Sequence, residues 1–431
     1  MSASRRSEPE GGGLSPLERR AVEVLDHQAL TGLLLKLIAI PSHDGRETPA
    51  QEAVAAWMAE AGLEPDVWPI DLGALRLHPH YSAEVERDEA LGVVGRLEGS
   101  GGGRDLLLNG HIDVVPVGDE HAWTVPPWQG TVRDGRVYGR GSVDMKGGLC
   151  CALAAAKAVR DAGVSLRGRL LVASVAGEED GGLGTLALLE RGYRADGTVI
   201  SEPTDLRVVT AQAGSYMFRL TVEGKAAHGS VREEGASAIE KFWPLFAALR
   251  GLEAERNAAG GGELYASYRL PWPIEVGTLR AGEWASSVPG LLVCEGRCGI
   301  AVGEDPAAAR RALEEAVARA AAADPWLRDH PPRVEWWGGR FDPAVTDPAD
   351  PLVGAVRGAA RDVTGAAPPI EGVTYGSDLR LLVNVGGIPT VLFGPGDVRA
   401  AHMADEYVPL DQLRTAAEAL VAAAVRFCGG D

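Results

Sequence analysis

The run LLLNGHIDVVP, Leu106 to Pro116, ends an apolar strand on an imidazole and a carboxylate, His111 and Asp113. In extended chain, residues two apart point to the same side, so the pair shares one face at the strand's end. Four further segments place histidine or acidic residues just after short apolar stretches. They are GRGSVDMKGG with Asp144, VASVAGEEDGGLG with Glu178, Glu179 and Asp180, VISEPT with Glu202, and AAHMADEYV with His402, Asp405 and Glu406. Histidine and carboxylate without cysteine suit zinc, manganese or cobalt rather than a thiolate site. Two histidines with three carboxylates exceed what one tetrahedral ion needs, and fit two ions about 3.5–4 Å apart that share a carboxylate. Any one segment alone reads as a structural histidine or a solvated turn; recurrence of one strand-end context gives them a common purpose.

For these residues to meet, several strand ends must lie along one edge. The runs LGVVGRL, LLLNG, GRLLVASVA and GTVI are β-like, with helical patterns at 146–161 and around 182–191 between them. Alternation of this kind predicts an α/β fold with a mixed, largely parallel sheet flanked by helices. Functional groups then belong at the carboxyl ends of its strands. Two helical patterns precede the sheet, over 18–39 and 48–62. Near residue 210 the texture changes: YMFRLTVEGKAAHGS alternates like a half-exposed antiparallel strand, followed by a helix over 235–250, more strands and a helix over 305–323. The pattern predicts an inserted α+β sandwich at 211–325 within a discontinuous domain of 16–210 and 326–431. Residues 1–15, rich in Gly, Ser and Glu, are expected to be disordered.

The chain has 431 residues, enough for more than one core, and its 45% hydrophobic and 24% charged composition is that of a globular protein. A formal net charge of −18 argues against a nucleic-acid or anionic-membrane partner, which would call for clustered Lys and Arg. The most apolar run, ALTGLLLKLIAIP, contains Lys36 and ends at Pro41, too short to span a bilayer. The stretch after Arg5 and Arg6 has no apolar segment and does not read as a signal peptide. Five cysteines without framework spacing read as reduced thiols, and the expected compartment is the cytoplasm.

Taken in order, GHIDVVPVG, GRGSVDMKGG, GEEDGG, SEPT, AAHGS, GSD and the late GPG…AHMADEY resemble the dinuclear-zinc metallopeptidase/amidohydrolase family of aminoacylase, acetylornithine deacetylase, succinyl-diaminopimelate desuccinylase and bacterial glutamate carboxypeptidase. The resemblance runs from about residue 20 to the end of the chain. It implies that Asp144 bridges two divalent ions, zinc or alternatively cobalt or manganese. His111 and Glu202 would complete one ion's ligands, Glu179 and His402 the other's. Asp113 would orient His111, and Glu178 would be the general base that takes a proton from the metal-bridging water and returns it to the leaving amine. The implied reaction is hydrolysis of the amide bond of a small N-acylated amine, amino acid or short peptide.

The inserted sandwich resembles the family's lid and dimerisation domain, which implies a homodimer in which His228 of KAAHGS reaches the partner's site and stabilises the tetrahedral oxyanion. Ser286, Arg297, Gly376 and Ser377 would join His228 on the substrate side. Three positions depart from the family pattern. Ser286 stands where asparagine is usual, Gly299 where an arginine usually grips a substrate carboxylate, and Gly376 where a hydroxyl residue is common. Arg297, two residues earlier on the same strand face, is the available replacement for the missing arginine. Two other functions use the same ions: a non-catalytic metal-binding scaffold, and a phosphoesterase, against which the lack of an Arg/Lys clamp near the motifs counts.

Overall fold

The strands around the acidic segments form the middle of one nine-stranded sheet in the computed structural model, which describes residues 13–430. The expected disorder of residues 1–15 falls mostly outside the described residues; Ser15 caps a helix at Pro16–Glu23. The order is β1 (Glu64–Pro69), β2 (Leu91–Leu97), β6 (Leu170–Val175), β3 (Leu106–His111), β7 (Gly197–Ile200), β17 (Thr390–Leu392), β8 (Val208–Gln212) and β15 (Ala344–Val345), with β16 (Ile370–Val373) also pairing on β8. β3 runs parallel to β6 and β7, and β17 parallel to β7. These four strands are buried along their whole length, as continuous apolar runs in a doubly covered sheet require.

The parallel arrangement is confined to that centre and to β16 on β8. β1, β2 and β6 pair antiparallel, as do β17, β8 and β15. Only residues 201–207 separate β7 from β8, fewer than the dozen or so that a parallel crossover takes, so the chain turns back. The sheet is therefore mixed.

Helices Lys146–Asp161 and Leu410–Cys428 cover one face, with Leu149, Leu153, Leu420 and Phe427 in the core. Leu183–Glu190 and Leu379–Asn384 cover the other, through Leu186, Leu188 and Leu381. The pattern over 18–39 is two helices, Pro16–Glu23 and His27–Ile38. Asp26 starts the second by accepting from the N–H groups of Gln28 and Ala29, both at 2.9 Å.

A second, antiparallel sheet has the order β11 (Ile274–Ala281), β13 (Leu291–Ile300), β9 (Gly214–Glu223) and β14 (Arg333–Phe341). β9 alternates buried and half-buried positions, and helices Ala238–Asn257 and Pro306–Ala323 pack on its apolar face. This sheet takes its fourth strand from beyond residue 325. A three-stranded sheet joins β18 (Tyr407–Pro409), β5 (Arg136–Tyr138) and β4 (Thr131–Arg133), and β10 (Ala227–His228) pairs with β12 (Ser287–Val288). All five cysteines are buried free thiols. Among the described residues no helix is long and apolar enough to cross a membrane.

Candidate metal centre

Four of the five chemical segments emerge at the carboxyl end of the central parallel strands. His111 closes β3, Glu178 and Glu179 follow β6, Glu202 follows β7, and His402 lies on the loop after β17. Asp144 arrives by another route, after β5 of the small sheet and just before helix Lys146–Asp161, with a cis peptide to Met145. Its turn is held by the buried Glu406. Oε1 of that side chain accepts from the N–H groups of Val143 and Asp144, at 3.0 and 3.2 Å, while Oε2 accepts from Arg140.

The Asp144 carboxylate is split between the two histidines. Oδ1 lies 3.1 Å from His111 Nε2 and Oδ2 lies 3.2 Å from His402 Nε2. Glu202 Oε1 is 3.8 Å from His111 Nε2, and Glu179 Oε1 is 3.1 Å from His402 Nε2. Within each of the triads His111–Asp144–Glu202 and Asp144–Glu179–His402, one ligand atom per residue lies within 4.8 Å of the others. Asp144 belongs to both. Glu178 stands beside them, Oε2 4.0 Å from His111 Nε2 and Oε1 buried without a hydrogen-bond partner among the described residues.

The role expected of Asp113 is divided between its backbone and its side chain. His111 Nδ1 donates to the Asp113 carbonyl at 2.9 Å, which turns Nε2 towards Asp144 as the nitrogen that would bind an ion. The Asp113 carboxylate stands off at 3.7 Å from Nδ1 and instead accepts the Glu179 N–H at 3.0 Å. One residue thus aims the imidazole with its main chain and sets the Glu178–Glu179 turn with its side chain.

The electrostatics explain why such a pocket calls for cations. Burial pushes Glu178 and Glu202 well above the ordinary carboxylate range, reinforced by neighbouring carboxylates and opposed by His111. Burial and then Asp144 push Glu179 up to about 7. Burial also works against ionisation of Asp144, but hydrogen bonds from His111 and His402 outweigh it and hold its carboxyl low. Hydrogen bonds with Asp144 and Glu179 raise His402 to about 10. So many carboxylates out of water, with Glu178 Oε1 and Asp113 Oδ1 unmatched, are costly without positive charge. The oxygen and imidazole donors fit divalent ions of the zinc class.

The sequence pattern described as peptidase family M20/M25/M40 matches residues 107–426. The chain belongs to this peptidase family. It is an M20 hydrolase, metal-dependent, with candidate ligands for a dinuclear site. The N-formyl-4-amino-5-aminomethyl-2-methylpyrimidine deformylase of Bacillus subtilis is 30% identical over 401 residues, 86% of this chain and 88% of its own. The acetylornithine deacetylase of Myxococcus xanthus is 33% identical over 386 residues, 86% and 95% of the two chains. The structure of the di-peptidase Dug1p of Saccharomyces cerevisiae superposes with a TM-score of 0.74 over 96% of this chain and 98% of that one, at 16% identity, and shares the fold.

In this M20 chain the substrate-side residues separate into groups. His228 is exposed on β10 with Nδ1 2.7 Å from Ser230 Oγ, and the exposed Ser286 adjoins it by accepting the Gly229 N–H. Neither is among the hydrogen-bond partners of the two triads. Arg297 reaches the loop beside the triads, donating from Nη2 to the Thr374 carbonyl at 2.8 Å. Among the described residues no carboxylate pairs with it. At Gly299 a Cβ would stand 2.8 Å from the Trp272 carbonyl carbon and 2.9 Å from Pro273, so the usual arginine has no room. At Gly376 a Cβ would meet the Phe341 ring at 2.4 Å, which rules out the hydroxyl side chain common there. Ser377 is buried, and both its N–H and Oγ donate to Gln212 Oε1, at 3.0 and 2.6 Å.

Several residues of the site had no local signal in the sequence. Arg87 makes bidentate bonds to Asp180, both at 2.9 Å, and to Glu47 at 3.0 and 3.2 Å, fastening the turn after Glu178 and Glu179. Asp378 accepts from Thr185 Oγ1 at 2.6 Å, and Thr185 accepts from Asn109 Nδ2 at 3.2 Å. That chain ties the 374–378 loop to the strand that ends in His111. The sequence hint was the acidic residue of GSD, for which no partner could be named.

Proposed function

We propose that this M20 hydrolase cleaves the amide bond of a small N-acylated amine, amino acid or short peptide. The observation that supports the reading most is the division of Asp144 between two triads, with an uncommitted Glu178 alongside. His111, Asp144 and Glu202 would hold one ion, Asp144, Glu179 and His402 the other, with zinc the first choice and cobalt or manganese the alternatives. When bound, the ions supply Lewis-acid polarisation of the acyl carbonyl and acidify a water towards neutrality. Glu178 takes the water's proton as the new C–O bond forms, then delivers it to the nitrogen as the C–N bond breaks, giving carboxylate and amine. Asp113 keeps both His111 and the Glu178–Glu179 turn in place for that transfer.

Arg297 is the candidate for an anionic group on the substrate, since it is half-buried and lacks a carboxylate partner among the described residues. The test is a panel of N-formyl, N-acetyl, N-succinyl and dipeptide substrates, each with and without a free carboxylate, with phosphodiesters beside them. Metal-loaded enzyme is expected to hydrolyse amides only. Arg297→Met should raise KM for carboxylate-bearing members by about 10- to 100-fold, the worth of a charged hydrogen bond, and leave the others unchanged. No amide turnover across the panel would sink the proposed reaction.

We further infer a homodimer through the inserted sandwich. Leu279, Trp284 and Leu291 are 48%, 74% and 50% exposed on and between β11 and β13, an apolar surface that a partner subunit would cover. Sedimentation velocity at micromolar concentration should give twice the chain mass; a lone monomer would remove the dimer. Five buried free thiols support the cytoplasm as the compartment.

A further inference from the structure

Tyr375 lies between β16 and helix Leu379–Asn384, and its hydroxyl is not used by anything described so far. The oxygen is shut off from solvent and has no hydrogen-bond partner among the described residues, although the ring is only half-buried. Burial first, and then the nearby Glu202 and Asp144 carboxylates, hold the phenol well above its usual 10, so the group keeps its proton and can only donate or accept. The backbone around it is fastened on both sides. The Thr374 carbonyl is taken by Arg297 Nη2 at 2.8 Å, and Ser377 is tied twice to Gln212. Gly376 between them is pressed on Phe341, where even a Cβ would stand 2.4 Å away. The loop is therefore fixed while the half-buried ring keeps its side-chain torsions, by which the hydroxyl can turn to a bound acceptor, and a buried donor left unmatched is unfavourable.

An amide substrate offers one strong acceptor, its carbonyl oxygen, because the nitrogen lone pair is delocalised. We propose that the Tyr375 hydroxyl donates a hydrogen bond to the substrate's acyl oxygen, one that strengthens as that oxygen gains negative charge during attack. The assignment rests on the amide-hydrolase reading above and adds a catalytic residue to it. The donor comes from the same chain as the two triads.

Tyr375→Phe removes one oxygen atom and leaves the ring. Zinc-loaded Tyr375→Phe should keep the wild-type ion content and melting temperature, with kcat lowered by about 100- to 1000-fold, the range for loss of one oxyanion donor, and KM within about threefold. A methylphosphonamidate of the substrate amine, which mimics the tetrahedral state, should bind more weakly by a similar factor in calorimetry, while the free amine binds as before. Equal kcat in the variant overturns the role of Tyr375, as does a loss traced to missing ions, which would assign the hydroxyl to Glu202 or Asp144. On wild-type protein labelled with 3-fluorotyrosine, one fluorine resonance among the eight tyrosines should move when the phosphonamidate is added; none moving also overturns it. Metal-loaded wild type without amide turnover overturns the amide reading and this role together, whereas wild-type turnover matched by Tyr375→Phe overturns this role alone.

Discussion

Glu178→Gln is expected to keep both metal ions and lose about 10²- to 10⁴-fold in kcat, the contribution of a positioned general base. The side chain belongs to neither triad, and its Oε1 is buried without a partner, so an amide of the same shape leaves the ligands undisturbed. What the variant lacks is a group that takes a proton from water and gives it to the leaving nitrogen. Burial and the neighbouring Glu202 and Asp378 disfavour the Glu178 charge, so the neutral replacement should leave the melting temperature of ion-free protein unchanged or higher. Elemental analysis, kcat on the preferred amide and a thermal melt together check the result. Turnover like wild type would take Glu178 out of the base role, and loss of an ion would make it a ligand.

Asp144→Asn should lose the capacity to hold two ions, because the one carboxylate whose oxygens serve both histidines becomes an amide with a single acceptor. Activity of the wild type is expected to vanish on chelation and return when zinc or cobalt is added, and the variant should not recover. Loading should also depend on pH in a definite direction. Hydrogen bonds to Asp144 and Glu179 raise His402 to about 10, and Asp113 and Asp144 raise His111 against the opposing effect of burial. Both imidazoles therefore hold protons near neutrality in the ion-free protein. An incoming ion must displace them, so apparent affinity rises between pH 6 and 8. Equilibrium dialysis across that interval tests the direction; affinity that is flat or falls with pH would count against these histidines as ligands, as would two tightly held ions in Asp144→Asn.

Much of the fold was legible because its signals are local. β2 is the run LGVVGRL, β3 begins at the three leucines before Asn109, and helix Lys146–Asp161 matches the 146–161 pattern. Apolar runs of strand length and Ala-rich helical periodicity record burial directly in the chain. Connection length was the weaker guide. The short link between β7 and β8 forced one of the antiparallel steps of the mixed sheet, which alternation of elements could not place, and Asp26 broke one long helical pattern in two through a cap. On the substrate side, the glycine at position 299 was visible as a departure, but its cause was not, since the Trp272–Pro273 segment that occupies the space is remote in sequence.

The residue types of the site were determined by the sequence itself. His111, Asp144, Glu178, Glu179, Glu202 and His402 each stand beside an apolar run or a glycine-rich turn, and that context is written in the adjoining residues. Which oxygen faces which imidazole was decided only by the tertiary structure, which brings Asp144 in from a separate small sheet and anchors it on Glu406. The same holds for the clamp of Arg87 on Asp180, the link from Asn109 through Thr185 to Asp378, and the unmatched Tyr375 hydroxyl. The physical reason is one of range. Strand and helix patterns report what neighbours along the chain bury, whereas buried polar groups are matched or left unmatched by residues that meet only when distant elements pack.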